Sequence, residues 1–120
     1  MSTGDHLWMV PNGDGPRDHP ALKDLKLPPL GSPGLGMPLV TKTLLFVSEG
    51  DVGNIVGGGP TAGKKIRAFD KTSGAVVWEF ELPAGTNGVL MTYMHNGKQY
   101  VVMPVGLGTQ SAEWVAFNLP

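Results

Sequence analysis

Apolar and polar residues alternate with a period of two in several parts of the chain. In residues 76–82, VVWEFEL, the apolar side chains at even positions from Val76 to Leu82 face one way, and Glu79 and Glu81 face the other. This is the pattern of a half-buried β-strand. Residues 44–48, LLFVS, are instead apolar at both even-numbered and odd-numbered positions, which is typical of a strand covered on both faces.

Short apolar runs of this kind, separated by glycine, proline and asparagine, predict eight strands and an all-β fold. The predicted strands are 7–10, 37–41, 44–48, 65–70, 76–82, 89–94, 99–105 and 113–119. Gly74 suits a turn position of positive φ, and Asn96-Gly97 is a strong signal for a two-residue hairpin. A single helical turn fits residues 20–26, and Gly and Pro otherwise interrupt residues 12–36.

The chain also repeats itself. Trp8 follows Ser2-Thr3-Gly4 in the same way that Trp78 follows Thr72-Ser73-Gly74, and the two copies are 70 residues apart. WVAF at 114–117 matches IRAF at 66–69 with an offset of 48. Repeats of about 40–50 residues with four strands each are typical of β-propeller blades.

Composition and charge exclude several classes of function. The 120 residues carry a formal net charge of −1 and only 16% charged side chains, which gives no electrostatic basis for binding nucleic acid or an anionic membrane surface. No apolar run approaches the roughly 20 residues of a membrane span, and no signal-peptide pattern opens the sequence. Because there is no cysteine, disulfides, thiolate metal sites and cysteine nucleophiles are excluded.

The candidate chemical motifs are weak when taken residue by residue. GGPTAGKK at 58–65 matches part of a phosphate loop, but Lys65 replaces the Ser or Thr that would hold Mg²⁺, and a strand follows it instead of a helix. Asp14 and Asp18 lack the spaced acids of a calcium loop. The three histidines have no ligand-like spacing and are expected to be solvated: His6, His19 and His95.

Several longer stretches resemble the PQQ-dependent (quinoprotein) dehydrogenases. RAFDKTSGAVVW at 67–78 resembles their tryptophan-docking motif, and LMTYMHNGKQYVVMPVG at 90–106 resembles a segment near their C-terminus. VAFNLP at 115–120 resembles their closing strand. LPPLGSPGLGMPLVTKTLLFV at 27–47 resembles the stretch ahead of the penultimate blade in the glucose and polyol dehydrogenase branch. The resemblance runs from about residue 2 to residue 120.

The resemblance implies an eight-bladed propeller of four-stranded antiparallel blades that holds PQQ and calcium on its axis. Such enzymes oxidise sugars or alcohols, usually in the periplasm. The chain would then contain two blades' worth of strands and begin in the middle of a blade. The implied parts are the outermost strand of an incomplete blade at 1–11, a loop insert at 12–36, a complete blade at 37–83, and three inner strands of the closing blade at 84–120.

The resemblance also supplies the candidate site residues. Gly106, Leu107 and Gly108 follow a strand whose loop approaches the quinone in the family, and Asn87 is a weaker candidate for the same contact. The family's catalytic aspartate and most of its calcium and quinone ligands lie in blades that this chain lacks. The resemblance therefore implies no catalytic or metal-binding residue here, and binding of neither PQQ nor calcium by this chain alone.

Two functions follow from these expectations. In the first, the chain is a structural part of a quinoprotein dehydrogenase and is completed by the remaining blades. In the second, it is a non-catalytic module that assembles from copies of itself, with four copies closing an eight-bladed ring and residues 7–10 exchanged between neighbours.

Overall fold

The computed structural model describes residues 3–34, 36–50, 63–106 and 111–118. The described strands form two antiparallel sheets, which confirms the all-β prediction. The first sheet has the order β1-β2-β3-β4 and the second β5-β6-β7. The strands are β1 Pro38–Val40, β2 Leu44–Ser48, β3 Lys65–Asp70, β4 Val76–Glu81, β5 Met91–His95, β6 Lys98–Val105 and β7 Glu113–Asn118. Two short 3-10 helices, Gly15–Asp18 and Lys23–Leu25, precede the strands, and no helix in the described ranges is long and apolar enough to cross a membrane.

The first sheet matches a four-stranded blade because each strand pairs with the next along the chain. Central strand β2 has no exposed residue, as its apolar pattern predicted. The prediction that Val76 lies on the same face of β4 as Trp78 is wrong. The register shifts between Ala68 and Phe69, so that Val76 pairs with Phe69 while Trp78 pairs with Ala68. This β-bulge inserts one extra residue and moves Val76 to the face opposite Trp78.

The hydrophobic core lies between the two sheets. The first sheet contributes Phe46, Ile66 and Ala68 from one face, which we call its front face. The second sheet contributes alternate residues of β6, namely Val101, Met103 and Val105. At the outer edge, the Phe117 ring lies edge-on to the rings of Trp78 and Phe80, with centroid separations of 5.1 and 5.0 Å. The sheets therefore stack face to face, as neighbouring propeller blades do.

Two tight turns follow the sequence prediction. Asn96 and Gly97 join β5 to β6 with φ of 48° and 75°, the two positive values that a type I′ turn requires. Gly74 lies in the β3–β4 turn with φ of 73°. Both glycines therefore occupy positions where a side chain would strain the backbone.

Residues 7–10 form no strand, and the prediction of one is wrong for the single chain. Within the described part of the chain no other strand pairs with them, and a strand requires a neighbouring edge to bond. Trp8 packs on the first sheet, whereas Leu7 and Met9 are 85% and 80% exposed. The assignment of this segment to the rim of a neighbouring blade stays a prediction, as do the other blade boundaries.

The Pro- and Gly-rich insert is an ordered loop with a narrow neck. Three backbone hydrogen bonds of 2.9–3.1 Å join residues 12–14 to residues 30–32 in antiparallel fashion. The Gly15 amide adds a bond to the Ser32 hydroxyl at 3.1 Å. The predicted helical turn at 20–26 is present as the short helix at Lys23–Leu25. We call residues 12–32 the neck loop.

Candidate functional site

Two of the four predicted cofactor-contact residues lie together where β6 ends. The side-chain amide of Asn87 donates a hydrogen bond to the Gly106 carbonyl at 2.7 Å. The Gly106 amide in turn donates to the Gly85 carbonyl at 3.1 Å, and Thr86 forms an isolated bridge with Val105. The segment before β5 is thus fixed against the end of β6, with Asn87 exposed to solvent.

Gly106 itself leaves no room for a side chain. Its φ is 139°, and an added Cβ would lie 2.8 Å from the Ala112 Cα and 2.9 Å from the Ser111 carbonyl oxygen. The reason for glycine at this position is therefore close packing of the backbone ahead of β7. The other two predicted contacts, Leu107 and Gly108, lie outside the described residues.

A buried charged network, which sequence reasoning missed, lies on the other face of the first sheet, its rear face. The Arg67 guanidinium is 2.7 Å from a Glu49 carboxylate oxygen and 2.7 Å from a Glu79 oxygen. It also donates to the Asn12 side-chain oxygen at 3.1 Å. Lys65 bonds the second Glu79 oxygen at 2.8 Å. The side chains of Arg67 and Glu49 are only 8% and 5% exposed, so this pair is held away from water.

The network ties three parts of the chain together. Glu49 follows β2, Arg67 and Glu79 face each other across β3 and β4, and Asn12 is at the neck of the loop. The Asn12 amide also donates to the Ser48 carbonyl at 3.0 Å. The Arg67–Glu79 pairing could have been predicted from the hairpin register. The contact of Arg67 with Glu49 could not have been predicted in this way. It requires β2 to pair with β3, and residues 49–64 separate these two strands in the sequence.

The ion pairs shift the pKa values of their exposed members. The hydrogen bond from Lys65 lowers the pKa of Glu79, burial opposes this, and the Arg67 charge lowers it further. The same hydrogen bond raises the pKa of Lys65. In the β3–β4 turn, hydrogen bonds from the Ser73 amide and hydroxyl, and then from the Thr72 amide, lower the pKa of Asp70. All three groups therefore favour their charged forms at neutral pH.

Trp8 is bound to the β3–β4 turn. Its indole nitrogen donates to the Lys71 carbonyl at 2.9 Å, and its ring stacks on Phe69 with centroids 6.2 Å apart. A Cβ on Gly74 would lie 2.6 Å from the indole, so only glycine lets the ring lie this close to the turn. Trp78, its counterpart in the repeat, is 37% exposed at the outer edge of the first sheet.

The remaining candidate residues give no metal-binding cluster in the described ranges. No group of three or more His, Asp or Glu side chains there could hold a metal ion. His6, His19 and His95 are exposed, as predicted. Most of the phosphate-loop match at 58–65 lies outside the described residues, and β3 begins at its last residue.

The two stacked antiparallel sheets, one of four strands and one of three, have the arrangement of two neighbouring blades of a β-propeller. The sequence of the chain matches the PQQ-dependent glucose/ethanol/alcohol dehydrogenase β-propeller domain over residues 1–101. The chain therefore belongs to this family.

Curated relatives agree with this assignment. Quinoprotein glucose dehydrogenase A of Acinetobacter calcoaceticus is 35% identical over the whole chain, which covers 14% of that protein. A probable quinate dehydrogenase (quinone) of Xanthomonas campestris pv. juglandis is 33% identical over the whole chain and 15% of its own length. Quinoprotein glucose dehydrogenase of Gluconobacter oxydans is 38% identical over 88% of the chain and 12% of its length. The chain thus spans 12% to 15% of the length of these three relatives, and no solved structure matches it.

Proposed function

We propose that the chain forms the last two blades of a PQQ-dependent dehydrogenase propeller of the glucose or polyol type. Its role there is structural, and by itself it catalyses no reaction. The observation that carries this proposal is the face-to-face stacking of a four-stranded sheet on a three-stranded one. The sequence similarity to glucose and quinate dehydrogenases supports this class of substrate. By the same family resemblance, we place the assembled enzyme in the periplasm.

An exposed apolar face of the second sheet supports completion by further blades. The register of β5, β6 and β7 puts alternate residues on the side away from the core. Among these, Met91, Tyr93 and Trp114 are 48%, 45% and 68% exposed. An apolar sheet face of this kind gains free energy when another sheet covers it, and β7 has β6 as its one described neighbour.

The described residues do not fit a complete quinone or calcium site. Asn87 and Gly106 offer one amide and backbone groups, and the described ranges hold no acidic cluster for a metal. In this proposal, PQQ and calcium are held mainly by the other blades. The loop of Gly106, Leu107 and Gly108, together with Asn87, lies beside the quinone only when the ring is complete.

The test compares the chain alone with the chain co-expressed with the remaining blades of a glucose dehydrogenase relative. We expect co-purification and dye-linked oxidation of glucose or a polyol, dependent on PQQ and calcium, only for the pair. The chain alone, supplied with PQQ and calcium, should not exceed a quinone-only control. Chelator-sensitive turnover by the chain alone would contradict the structural role.

A second candidate function is a homo-oligomeric propeller in which four copies exchange residues 7–10. The favouring observation is that Leu7 and Met9 are almost fully exposed beside the anchored Trp8. Native mass spectrometry separates the two functions, because exchange requires about four times 12.7 kDa. A stable monomer, or a tetramer that is unchanged when residues 1–11 are deleted, would rule out exchange.

A further inference from the structure

Two buried hydroxyl groups join the first sheet to the segment that carries Asn87. The Thr86 hydroxyl donates to the Ser48 hydroxyl at 2.7 Å, across 38 positions in the sequence. Ser48 ends β2 and is 1% exposed, and Thr86 is 4% exposed. Because side chains alternate along a strand, Ser48 shares the front face with Phe46 and points toward the core. We call this contact the hydroxyl pair.

Stability alone does not explain why the core contains these hydroxyls. Four polar side chains are buried in the described ranges: Glu49 pairs with Arg67 as an ion pair, and Ser48 pairs with Thr86. Two apolar side chains of the same shape would be nearly as stable as the hydroxyl pair, or more stable. A buried hydrogen bond also fixes the distance and direction between two groups. The hydroxyl pair therefore contributes a defined position more than it contributes stability.

The acceptor of the hydroxyl pair is held from two further directions. The Ser48 backbone pairs with Ile66 of β3 in the first sheet. The Ser48 carbonyl accepts a hydrogen bond from the Asn12 side-chain amide at 3.0 Å. Ser48 is thus fixed by both the first sheet and the neck loop, and it gives Thr86 a fixed partner.

The neighbours of Thr86 on either side bind Gly106. The Gly85 carbonyl accepts from the Gly106 amide at 3.1 Å, and the Asn87 side chain donates to the Gly106 carbonyl at 2.7 Å. Gly85 and Thr86 are buried, whereas Asn87 is exposed. A displacement of Thr86 would therefore move the exposed side chain that the proposed enzyme uses as a cofactor contact.

We propose that Ser48 and Thr86 are positioning residues, whose hydroxyl pair uses the first sheet to hold Asn87 against Gly106 at the end of β6. This role rests on the proposed function, because Asn87 has a cofactor to contact only in the complete ring. Both hydroxyls are buried in the core, so they act through Asn87.

The first measurement is nuclear magnetic resonance of the chain alone, which follows the Asn87 side-chain amide and hydrogen exchange of the Gly106 amide. Thr86→Val keeps the shape of the side chain and removes its hydroxyl. It should move the Asn87 resonances toward those of a solvated amide and speed exchange at Gly106 about fivefold, as expected for the loss of one hydrogen bond. Thr86→Ser keeps a hydroxyl and should stay close to the wild type in both readouts.

Two control variants separate positioning from general destabilisation. Thr92→Val removes an exposed hydroxyl whose hydrogen bonds lie within the second sheet, and Val101→Ala weakens the core while the hydroxyl pair stays intact. Neither control should move the Asn87 resonances. The double variant Ser48→Ala with Thr86→Val leaves no hydroxyl unpaired, so it is expected to fold. It should move these resonances as far as Thr86→Val does.

The second measurement uses the chain co-expressed with the remaining blades of a glucose dehydrogenase relative. Thr86→Val should raise the PQQ concentration for half-maximal turnover by up to about fivefold and leave maximal turnover unchanged, because fewer molecules hold the contact in place. A wild-type pair without turnover would contradict the proposed function alone, and the Asn87 resonances would then decide whether the hydroxyl pair positions this side chain. Unmoved Asn87 resonances in Thr86→Val and in the double variant, or an unchanged PQQ requirement in an active pair, would overturn the positioning role.

Discussion

Replacing Arg67 by methionine should destabilise the chain strongly, because it leaves a carboxylate buried without its partner. Glu49 is 5% exposed and lies 2.7 Å from the guanidinium. Removing one member of a buried ion pair costs about 3–5 kcal/mol. A small domain has a total stability of about 5–15 kcal/mol, so the loss is a large fraction of it.

The matched control is Lys65→Gln. Lys65 binds the same Glu79 side chain at 2.8 Å, but it is 34% exposed, so its ion pair is screened by solvent. Its loss should cost less than about 1 kcal/mol. Urea unfolding followed by far-ultraviolet circular dichroism gives both free energies.

A double-mutant cycle then tests the physical cause. Glu49→Gln removes the buried charge but keeps an oxygen for the Lys65 amide, which donates to Glu49 at 3.2 Å. If the buried charge causes the loss, Arg67→Met combined with Glu49→Gln should be more stable than the sum of the single losses by about 0.5–3 kcal/mol. The neck-loop amides of residues 30–32 should also exchange hydrogen faster in Arg67→Met, since Asn12 loses its bond to the guanidinium. Additive single losses, or a loss in Arg67→Met no larger than in Lys65→Gln, would refute the reasoning.

Three further predictions concern the β3–β4 turn and pH. Gly74→Ala should destabilise the chain more than Gly97→Ala in thermal unfolding. Both glycines have φ near 75°, but a Cβ at Gly74 meets the Trp8 ring, whereas nothing lies within 4 Å of a Cβ at Gly97. Equal losses would mean that backbone strain alone is involved. Trp8→Ala should cost roughly 2 kcal/mol in urea unfolding, from one hydrogen bond and one aromatic stack, and an unchanged midpoint would contradict the docking. The lowered pKa of Glu79 contributes stability that is present above its ordinary value of 4.5 and is lost as pH falls through the lowered value. In Glu79→Gln the free energy of unfolding should therefore fall less steeply as the pH is lowered. An unchanged slope would show that this carboxylate does not cause the loss of stability in acid.

The strands and turns were predictable because their signals are local. Alternation marked β4, Asn96-Gly97 marked the β5–β6 turn, and the unbroken apolar run marked β2 as a strand covered on both faces. The bulge that turns Val76 to the rear face was not predictable, because its extra residue on β4, Val77, is not a glycine and carries no other marker of a bulge. Local pattern also predicted a strand at residues 7–10, where pairing depends on a neighbour that the described chain does not provide.

The site was less predictable than the fold. Sequence resemblance pointed to Asn87 and Gly106, and the structure joins them by one hydrogen bond. Whether they contact a quinone depends on chain segments beyond this one, so that prediction stays open to the co-expression test. The Arg67 network was missed because two of the partners of Arg67, Glu49 and Asn12, lie outside the β3–β4 hairpin, Asn12 as far as 55 residues away in sequence.

The contact of Trp8 with the Lys71 carbonyl joins residues that are 63 positions apart, and this separation has a kinetic consequence. The β3–β4 turn closes over a few residues, whereas Trp8 must find that turn after a long stretch of chain has been ordered. Closing the long loop costs chain entropy, and the contact of Trp8 with the turn offsets that cost only after the turn has formed. The indole should therefore reach its final environment late in refolding. In the native protein the same segment should open first, before either sheet unfolds. The emission of Trp8, measured with Trp78 and Trp114 replaced by phenylalanine, and sheet circular dichroism would then report two different moments of one folding reaction.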